Sequence, residues 1–201
     1  MFRRFKHLGI HPGNEPQAVS VRKTDRRHCA EAAGAGLACD RRGQNGRTTV
    51  FEDPIEPYKN GKAALPILLE THRPLDVVTI MLGTNDLKHF FNLGPRDIAL
   101  GAATLAEMVM ASGAGPDGTG PKVLLISPPR VTAEHFAPKF DEAIPKSQGF
   151  AEAYRMMADQ IGCAFLDAAP LCDAPVPDGV HLDEASIVKL GEAMAEKIAA
   201  I

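Results

Sequence analysis

The chain of 201 residues is 45% hydrophobic and 23% charged, a composition that fits one globular domain with a sizeable core. Its net charge of -3 gives no basic field for nucleic acid, and no apolar run approaches the roughly 20 residues that a membrane span needs. The four cysteines include no C-x-x-C pair and follow no apolar leader, so we expect a cytoplasmic protein without a zinc site.

Three short apolar runs predict the strands of a parallel sheet. They are DVVTIML (76–82), KVLLISPP (122–129) and CAFLDAAP (163–170), and each ends at turn residues. Helical patterns follow them at roughly 95–111, 148–161 and 184–201, the last with an apolar stripe at three- and four-residue spacing. This order of strand, loop and helix predicts a three-layer α/β/α sandwich whose ligands bind at the carboxyl ends of the strands.

An amide and a carboxylate follow the first of these strands directly. In IMLGTNDLK the apolar run stops at Gly83, and Thr84, Asn85 and Asp86 come next, in the crevice where such folds bind ligands. A simpler interpretation is that Asn85 and Asp86 satisfy backbone groups at a turn.

A second polar pattern, PDGVHLDEAS, precedes the last helix and places Asp178 and His181 three residues apart. A carboxylate that accepts a hydrogen bond from the imidazole fixes its tautomer and stabilises its charged form, as a general base requires. The alternative is a surface Asp178, with Asp183 and Glu184 capping the helix that follows.

Together, and in this order, the two patterns resemble the SGNH (GDSL-like) hydrolases, and within them the bacterial arylesterase-like branch. The resemblance covers residues 43–201 and includes GQNGRTTV as well as IMLGTNDLK. It implies a flavodoxin-like fold and a serine esterase, in which the Asn85 side chain and the Gly46 backbone N–H hold the oxyanion, with Gly43 as the other possible register. In the same way His181 is implied as the base and Asp178 as the acid that orients it.

The resemblance further implies small carboxylic esters of aryl or acyl type as substrates, with acyl transfer to alcohols as an additional reaction. It implies no metal or organic cofactor, and it suggests a homo-oligomer. On this interpretation Asp86 orients the turn that presents Asn85. The loop 131–146, with Phe136 and Phe140, is a candidate lid or oligomer contact.

The nucleophile of this family, the serine of a G-D-S turn, is absent from the chain. Only Ser20 lies in the first fifty residues, and it has neither a glycine beside it nor an apolar strand before it. However, codons for Phe2–His11 can be chosen so that reading one base later spells F-G-D-S-N-T-W-G-F-I. The same offset can turn Cys39–Arg42 into V-I-E-E, which would suit a strand end before GQNGRTT.

Residues 1–47 carry ten of the 22 Lys and Arg but only four of the 25 Asp and Glu, and they show no strand or helix period. We therefore hypothesise that much of residues 2–42 is an out-of-frame translation, with Phe5 in the place of the serine. The predicted domains are an aberrant segment, 1–42, and a hydrolase domain, 43–201. This exact chain is then expected to be inactive, because loss of the nucleophile alone removes most of the rate.

Two other functions fit parts of the pattern. One is a non-catalytic pseudoenzyme that binds a ligand or partner through the remaining pocket. The other is a nucleotide-binding flavodoxin-like module that uses the GQNGRTT loop, although the loop lacks the G-x-x-x-x-G-K spacing of a phosphate cradle.

Overall fold

The computed structural model describes residues 39–132, 138–140, 142–172 and 179–201. The predictions for segment 1–38, for Phe136 and for Asp178 therefore lie outside the described residues. The helices and strands are α1 (Gly61–His72), β1 (Val77–Ile80), α2 (Pro95–Met110), β2 (Lys122–Ser127), α3 (Ala143–Ser147), α4 (Phe150–Ile161), β3 (Ala164–Asp167) and α5 (Glu184–Ala199). Short 3₁₀ turns occupy Thr84–Leu87, His89–Phe91, Pro116–Gly118 and Pro138–Phe140.

The three strands form one parallel sheet in the order β1-β2-β3. Ile80 of β1 lies opposite Leu125 of β2, and Ile126 of β2 lies opposite Leu166 of β3. All three predicted strands are therefore confirmed, and each ends a few residues early because its terminal residues belong to the following loop. Among the described residues β1 pairs with β2 alone, so it forms one edge of this sheet.

The central strand β2 shows why the fold has three layers. Successive side chains of a strand point to opposite faces of the sheet. Val123 and Leu125 join a core that contains α2 and α4, whereas Leu124 and Ile126 join a second core that contains Leu190 of α5. Helices therefore cover both faces of the sheet, and the predicted α/β/α sandwich is confirmed.

Two helices begin at side-chain caps that the sequence displays. The Asp183 carboxylate accepts a 2.8 Å hydrogen bond from the Ser186 N–H at the start of α5, which is the capping role that the alternative interpretation of this loop gave to Asp183. The Asn60 side chain accepts from the Lys62 N–H at 2.9 Å at the start of α1. Helix α1 is not among the predicted helices, because Gly61 and Pro66 are poor helix formers and conceal its pattern.

The candidate lid 131–146 is described in part, at residues 131–132, 138–140 and 142–146. Phe140 is only 8% exposed and packs in the same core as α2 and α4. Residues Ala143–Ser147 form the short helix α3. Phe140 therefore fills the core and is not available for the lid or oligomer contact that the sequence suggested. Within the described ranges, no helix is long and apolar enough to cross a membrane.

Candidate active site

The residues with candidate roles lie in loops next to the carboxyl ends of the strands. Asn85 follows β1 by five residues, and a further loop with Gly46 lies against it. His181 lies in the loop before α5, and this loop is joined to the one that follows β2, because the Thr132 N–H donates to the Gly179 carbonyl at 3.0 Å. The structure therefore gathers these three loops at the edge where open α/β sheets bind ligands.

The turn after β1 requires a glycine at position 83. Gly83 has a φ of +128°, a conformation that L side chains rarely adopt, and the Asp86 N–H closes the turn on its carbonyl at 3.1 Å. A Cβ added at this position would collide with the Tyr154 hydroxyl and with Ile98. Gly83 thus allows a tight turn directly after the strand, and this turn directs the next residues towards the crevice.

Asn85 contacts the neighbouring loop through its side-chain amide. Its Nδ2 donates a 3.1 Å hydrogen bond to the Arg47 carbonyl. An amide nitrogen carries two N–H groups, so one remains for a ligand. Asn85 is half-buried, as a group that faces both the protein and a ligand must be.

Gly46 lies in a tight turn that begins at Gln44. The Arg47 N–H donates to the Gln44 carbonyl at 3.2 Å, and Gly46 has a φ of +75°, which is typical of the third position of a type II turn. Within the described residues the Gly46 N–H donates to no acceptor. Since Arg47 follows Gly46 and its carbonyl accepts from Asn85, the structure brings the two predicted oxyanion donors onto adjoining turns. Gly43, the other register, is exposed and has no atoms around its Cβ position.

Asp86 forms a second link between the same two turns. Its carboxylate is fully buried and accepts from the Thr49 N–H at 3.0 and 3.1 Å and from the Thr49 hydroxyl at 2.6 Å. Burial raises the pKa of Asp86 to about 6, although the hydrogen bonds from Thr49 act in the opposite direction. The sequence alone assigned no role to the Thr49 side chain.

A buried ion pair flanks these turns. Lys88 Nζ lies 2.6 Å from Asp53 Oδ2 and 3.4 Å from Glu56 Oε1, and the Lys88 and Asp53 side chains are at most 4% exposed. Burial raises the pKa of Asp53, but the bonds from Lys88 and from the backbone N–H groups of Glu56 and Ile55 outweigh it and hold the pKa below its ordinary value. Lys88 and Asp53 are 35 positions apart in the sequence, so no local sequence pattern indicates that they pair.

His181 is exposed, and Val180 beside it packs against the first core, which anchors the loop. Gly179 has a φ of +75°, so the loop bends sharply just before the histidine. Asp178 lies outside the described residues, and its predicted pairing with His181 stays a prediction.

The serines of the described residues offer no accessible nucleophile near these loops. Ser127, Ser147 and Ser186 are at most 1% exposed. Ser112 donates to the Val109 carbonyl at the end of α2. This end lies at the amino edge of the sheet, because the nearby Ala114 carbonyl accepts from the Leu75 N–H just before β1. Groups of three or more His, Cys, Asp or Glu side chains that could hold a metal ion are also absent from the described part of the chain.

Comparisons with known proteins agree with this architecture. Residues 17–186 match the family described as GDSL-like Lipase/Acylhydrolase. A search of curated proteins found no match.

Solved structures give further matches at similar coverage. An aryl esterase from M. smegmatis is 36% identical, with 88% of this chain and 85% of that chain covered and a TM-score of 0.83. Est24, a carbohydrate acetylesterase from Sinorhizobium meliloti, is 34% identical, with 88% and 84% covered and a TM-score of 0.81. A putative arylesterase from Agrobacterium tumefaciens is 35% identical, with 87% and 88% covered and a TM-score of 0.77. The chain therefore belongs to the GDSL-like lipase/acylhydrolase family, and it is by family a carboxylic ester hydrolase with an α/β fold.

Proposed function

We propose that the natural form of this protein is a serine esterase that hydrolyses small carboxylic esters and also transfers their acyl groups to alcohols. In this mechanism a serine attacks the ester carbonyl, and His181 accepts the serine proton and returns it to the leaving alcohol. Asp178 orients His181 and stabilises its charged form. The Asn85 side chain and the backbone N–H groups of Gly46 and of the serine bind the oxyanion.

The observation that carries this proposal is the junction of the turns with Asn85 and Gly46. The Asn85 Nδ2 contacts the carbonyl that directly follows Gly46, and each donor keeps an N–H for a ligand. Fixed donors of this kind stabilise the negative charge that develops on the carbonyl oxygen in the transition state. One such donor lowers the activation free energy by about 3 kcal/mol. Two N–H groups from adjoining turns suit a single oxygen atom better than a phosphate group, which favours an esterase over a nucleotide-binding module.

Small acyl esters are the substrate class that we propose. Among the similar structures are two described as arylesterases and one described as a carbohydrate acetylesterase. We accordingly expect turnover of aryl acetates and of acetylated sugars, which share a small acyl group and differ in the alcohol. The comparison of 4-nitrophenyl acetate with 4-nitrophenyl octanoate tests the acyl preference directly.

We also propose that much of residues 2–42 of this chain results from a reading-frame shift and that residues 43–201 form the hydrolase domain. The match to the family begins at residue 17 and so excludes Phe2–His11, the stretch whose offset frame can spell F-G-D-S-N-T-W-G-F-I. It includes residues 17–42, so the support from this comparison applies to the stretch before residue 17 alone. The serines within the described residues are buried or lie at the other edge of the sheet, which supports the search for a nucleophile outside them. The 201-residue chain is expected to lack the main activity.

The experiment compares the 201-residue chain with the chain translated from the offset frame of the source gene, called here the offset-frame chain. DNA sequencing of the region for residues 1–50 comes first, with translation in all three frames. We expect F-G-D-S in one frame, hydrolysis of 4-nitrophenyl acetate by the offset-frame chain, and labelling of its serine by a fluorophosphonate probe. If DNA encodes MFRRFKHLGIHP and no frame restores G-D-S, the frame hypothesis is wrong, and a folded chain that no probe labels favours the alternative of a non-catalytic pseudoenzyme.

A cytoplasmic homo-oligomer completes the proposal. Ile55 is 61% exposed and Tyr58 is 86% exposed, on the segment that leads from the Gly46 turn to α1. We propose these two side chains as part of the surface that contacts a second copy of the chain. Light scattering coupled to gel filtration measures the mass, and a monomer at micromolar concentration would contradict this part of the proposal.

A further inference from the structure

The Asp86 carboxylate lies at a buried position, where a negative charge is energetically unfavourable. It is fully buried, and none of the ion pairs among the described residues includes it. The nearby Lys88 directs its Nζ to Asp53 and Glu56 instead. An isolated buried charge lowers the stability of a fold, and the raised pKa of Asp86 reflects that cost. A contribution to the stability of the fold therefore does not explain why an aspartate occupies position 86.

Both carboxylate oxygens of Asp86 accept hydrogen bonds from one residue, Thr49. The Thr49 N–H lies 3.0 and 3.1 Å from the two oxygens, and the Thr49 hydroxyl donates to Oδ1 at 2.6 Å. A neutral amide has only one acceptor oxygen and would place its NH₂ group against a donor. The site therefore selects a carboxylate for its geometry.

Thr49 has little freedom to move away from Asp86. Its carbonyl accepts from the Lys62 N–H at the start of α1, at 3.1 Å. On the other side Gly101 of α2 approaches so closely that a Cβ there would collide with the Thr49 hydroxyl oxygen. Thr49 thus connects Asp86 to two helices, and it does so three residues after Gly46.

We propose that Asp86 and Thr49 are a positioning pair that holds the turn with Gly46 at a fixed distance from the turn with Asn85. Asp86 follows Asn85 directly, so the link through Thr49 lies beside the link from Asn85 to the Arg47 carbonyl. Two links between two turns prevent rotation of one turn against the other, which a single hydrogen bond permits. The inference rests on the proposed function for its purpose, because an oxyanion hole needs donors about 2.7–3.1 Å from one oxygen position.

Hydrogen exchange of the 201-residue chain tests the link itself. T49V keeps the shape of the side chain and the N–H but removes the hydroxyl, whereas T49S keeps the hydroxyl. We expect the amides of segment 44–50 to exchange about tenfold faster or more in T49V, since hydrogen bonds to charged groups are the strong ones, and to stay within about threefold of the parent chain in T49S. Segments 122–127 and 164–167, which lie in β2 and β3, report whether the whole fold has loosened and are expected to be unchanged.

Kinetics with 4-nitrophenyl acetate tests the purpose, on the offset-frame chain. T49V is expected to lower kcat about ten- to a hundredfold with KM changed less than about threefold, because misplaced donors weaken transition-state binding more than substrate binding. T49S is expected to restore most of kcat. D86A serves as the second variant and is expected to reproduce both effects.

The outcomes separate this inference from the proposed function. Unchanged exchange in segment 44–50 of T49V, or a kcat that stays at the parent value while exchange rises, overturns the positioning role. If the offset-frame chain hydrolyses no ester, the proposed function fails, and the exchange experiment alone then decides whether Asp86 and Thr49 hold the two turns together.

Discussion

The hydroxyl of Tyr154 donates a 2.5 Å hydrogen bond to the carbonyl of Leu82, and so joins helix α4 to the end of the strand that presents Asn85. Tyr154 is completely buried, and its ring packs edge-on against Phe150 with 5.5 Å between ring centroids. Burial raises the pKa of Tyr154 well above its ordinary value, so the phenol stays protonated and remains a donor. One helix thereby fixes where β1 ends and where the Gly83 turn begins.

Y154F is expected to lower the free energy of unfolding by about 1–3 kcal/mol, because it removes the hydroxyl that donates to the carbonyl of the half-buried Leu82. Urea denaturation followed by circular dichroism gives the value. Y58F is the matched control, since Tyr58 is 86% exposed, and its effect should stay below about 0.5 kcal/mol. Equal effects of the two variants would show that the bond to Leu82 contributes nothing.

G83A is expected to destabilise the fold by about 2–5 kcal/mol. The φ of +128° strains any L side chain, and the added Cβ also collides with the Tyr154 hydroxyl and Ile98. G118A separates these two causes, because Gly118 has a φ of +74° but no atoms within 4 Å of the added Cβ. Its cost in thermal unfolding should be about 1–2 kcal/mol, and a loss for G83A no larger than this would rule out the collision.

N85A in the offset-frame chain is expected to lower kcat for 4-nitrophenyl acetate about 10²- to 10³-fold, since it removes one oxyanion donor. KM should change little, because the donor acts mainly on the transition state. N85D provides a sharper comparison: it has nearly the same shape, but it places a negative charge where the oxyanion forms, so its kcat should fall at least as far. A kcat within about twofold of the parent enzyme in N85A would exclude Asn85 from the oxyanion hole.

Local sequence patterns predicted the three strands and the longer helices that follow them, but they missed α1 and the contacts that join the elements. The apolar runs at β1, β2 and β3 and the stripe of α5 are signals within one segment, and all four are present. Asn85 and Gly46 were placed in the site by motif, and the structure puts them on adjoining turns. Partners 35 or 37 positions apart, such as Lys88 with Asp53 and Asp86 with Thr49, depend on how whole elements pack, which no local pattern encodes.

K88M is expected to cost about 3–5 kcal/mol, because it leaves the Asp53 carboxylate buried without its cation. R73A is the control: the Arg73 and Glu70 side chains are 58% and 66% exposed, and their 2.8 Å pair should contribute at most about 1 kcal/mol. D53N in the K88M background should recover part of the loss, since it removes the unpaired charge. A K88M variant that unfolds at the same denaturant concentration as the parent chain would contradict the burial of this pair.

Asp86 gives the stability of the protein a pH dependence of unusual sign for a carboxylate. Burial raises its pKa from the ordinary 3.8 to about 6, so between these values the folded chain binds more protons than the unfolded chain. The contribution of Asp86 to stability is therefore present below about pH 4 and is lost as the pH rises to about 6, with a total of about 3 kcal/mol at 1.36 kcal/mol per pKa unit.

D86N removes this titration, so the difference in free energy of unfolding between D86N and the parent chain should shift in favour of D86N as the pH rises from 4 to 6.5. Denaturation curves at four pH values in this range give the difference directly. D183N is the control with the opposite sign, because the hydrogen bond from the Ser186 N–H lowers the pKa of Asp183, and its contribution is lost as the pH falls. A difference between D86N and the parent chain that stays constant with pH would mean that Asp86 remains ionised throughout, and that the Thr49 hydrogen bonds outweigh the cost of burying its charge.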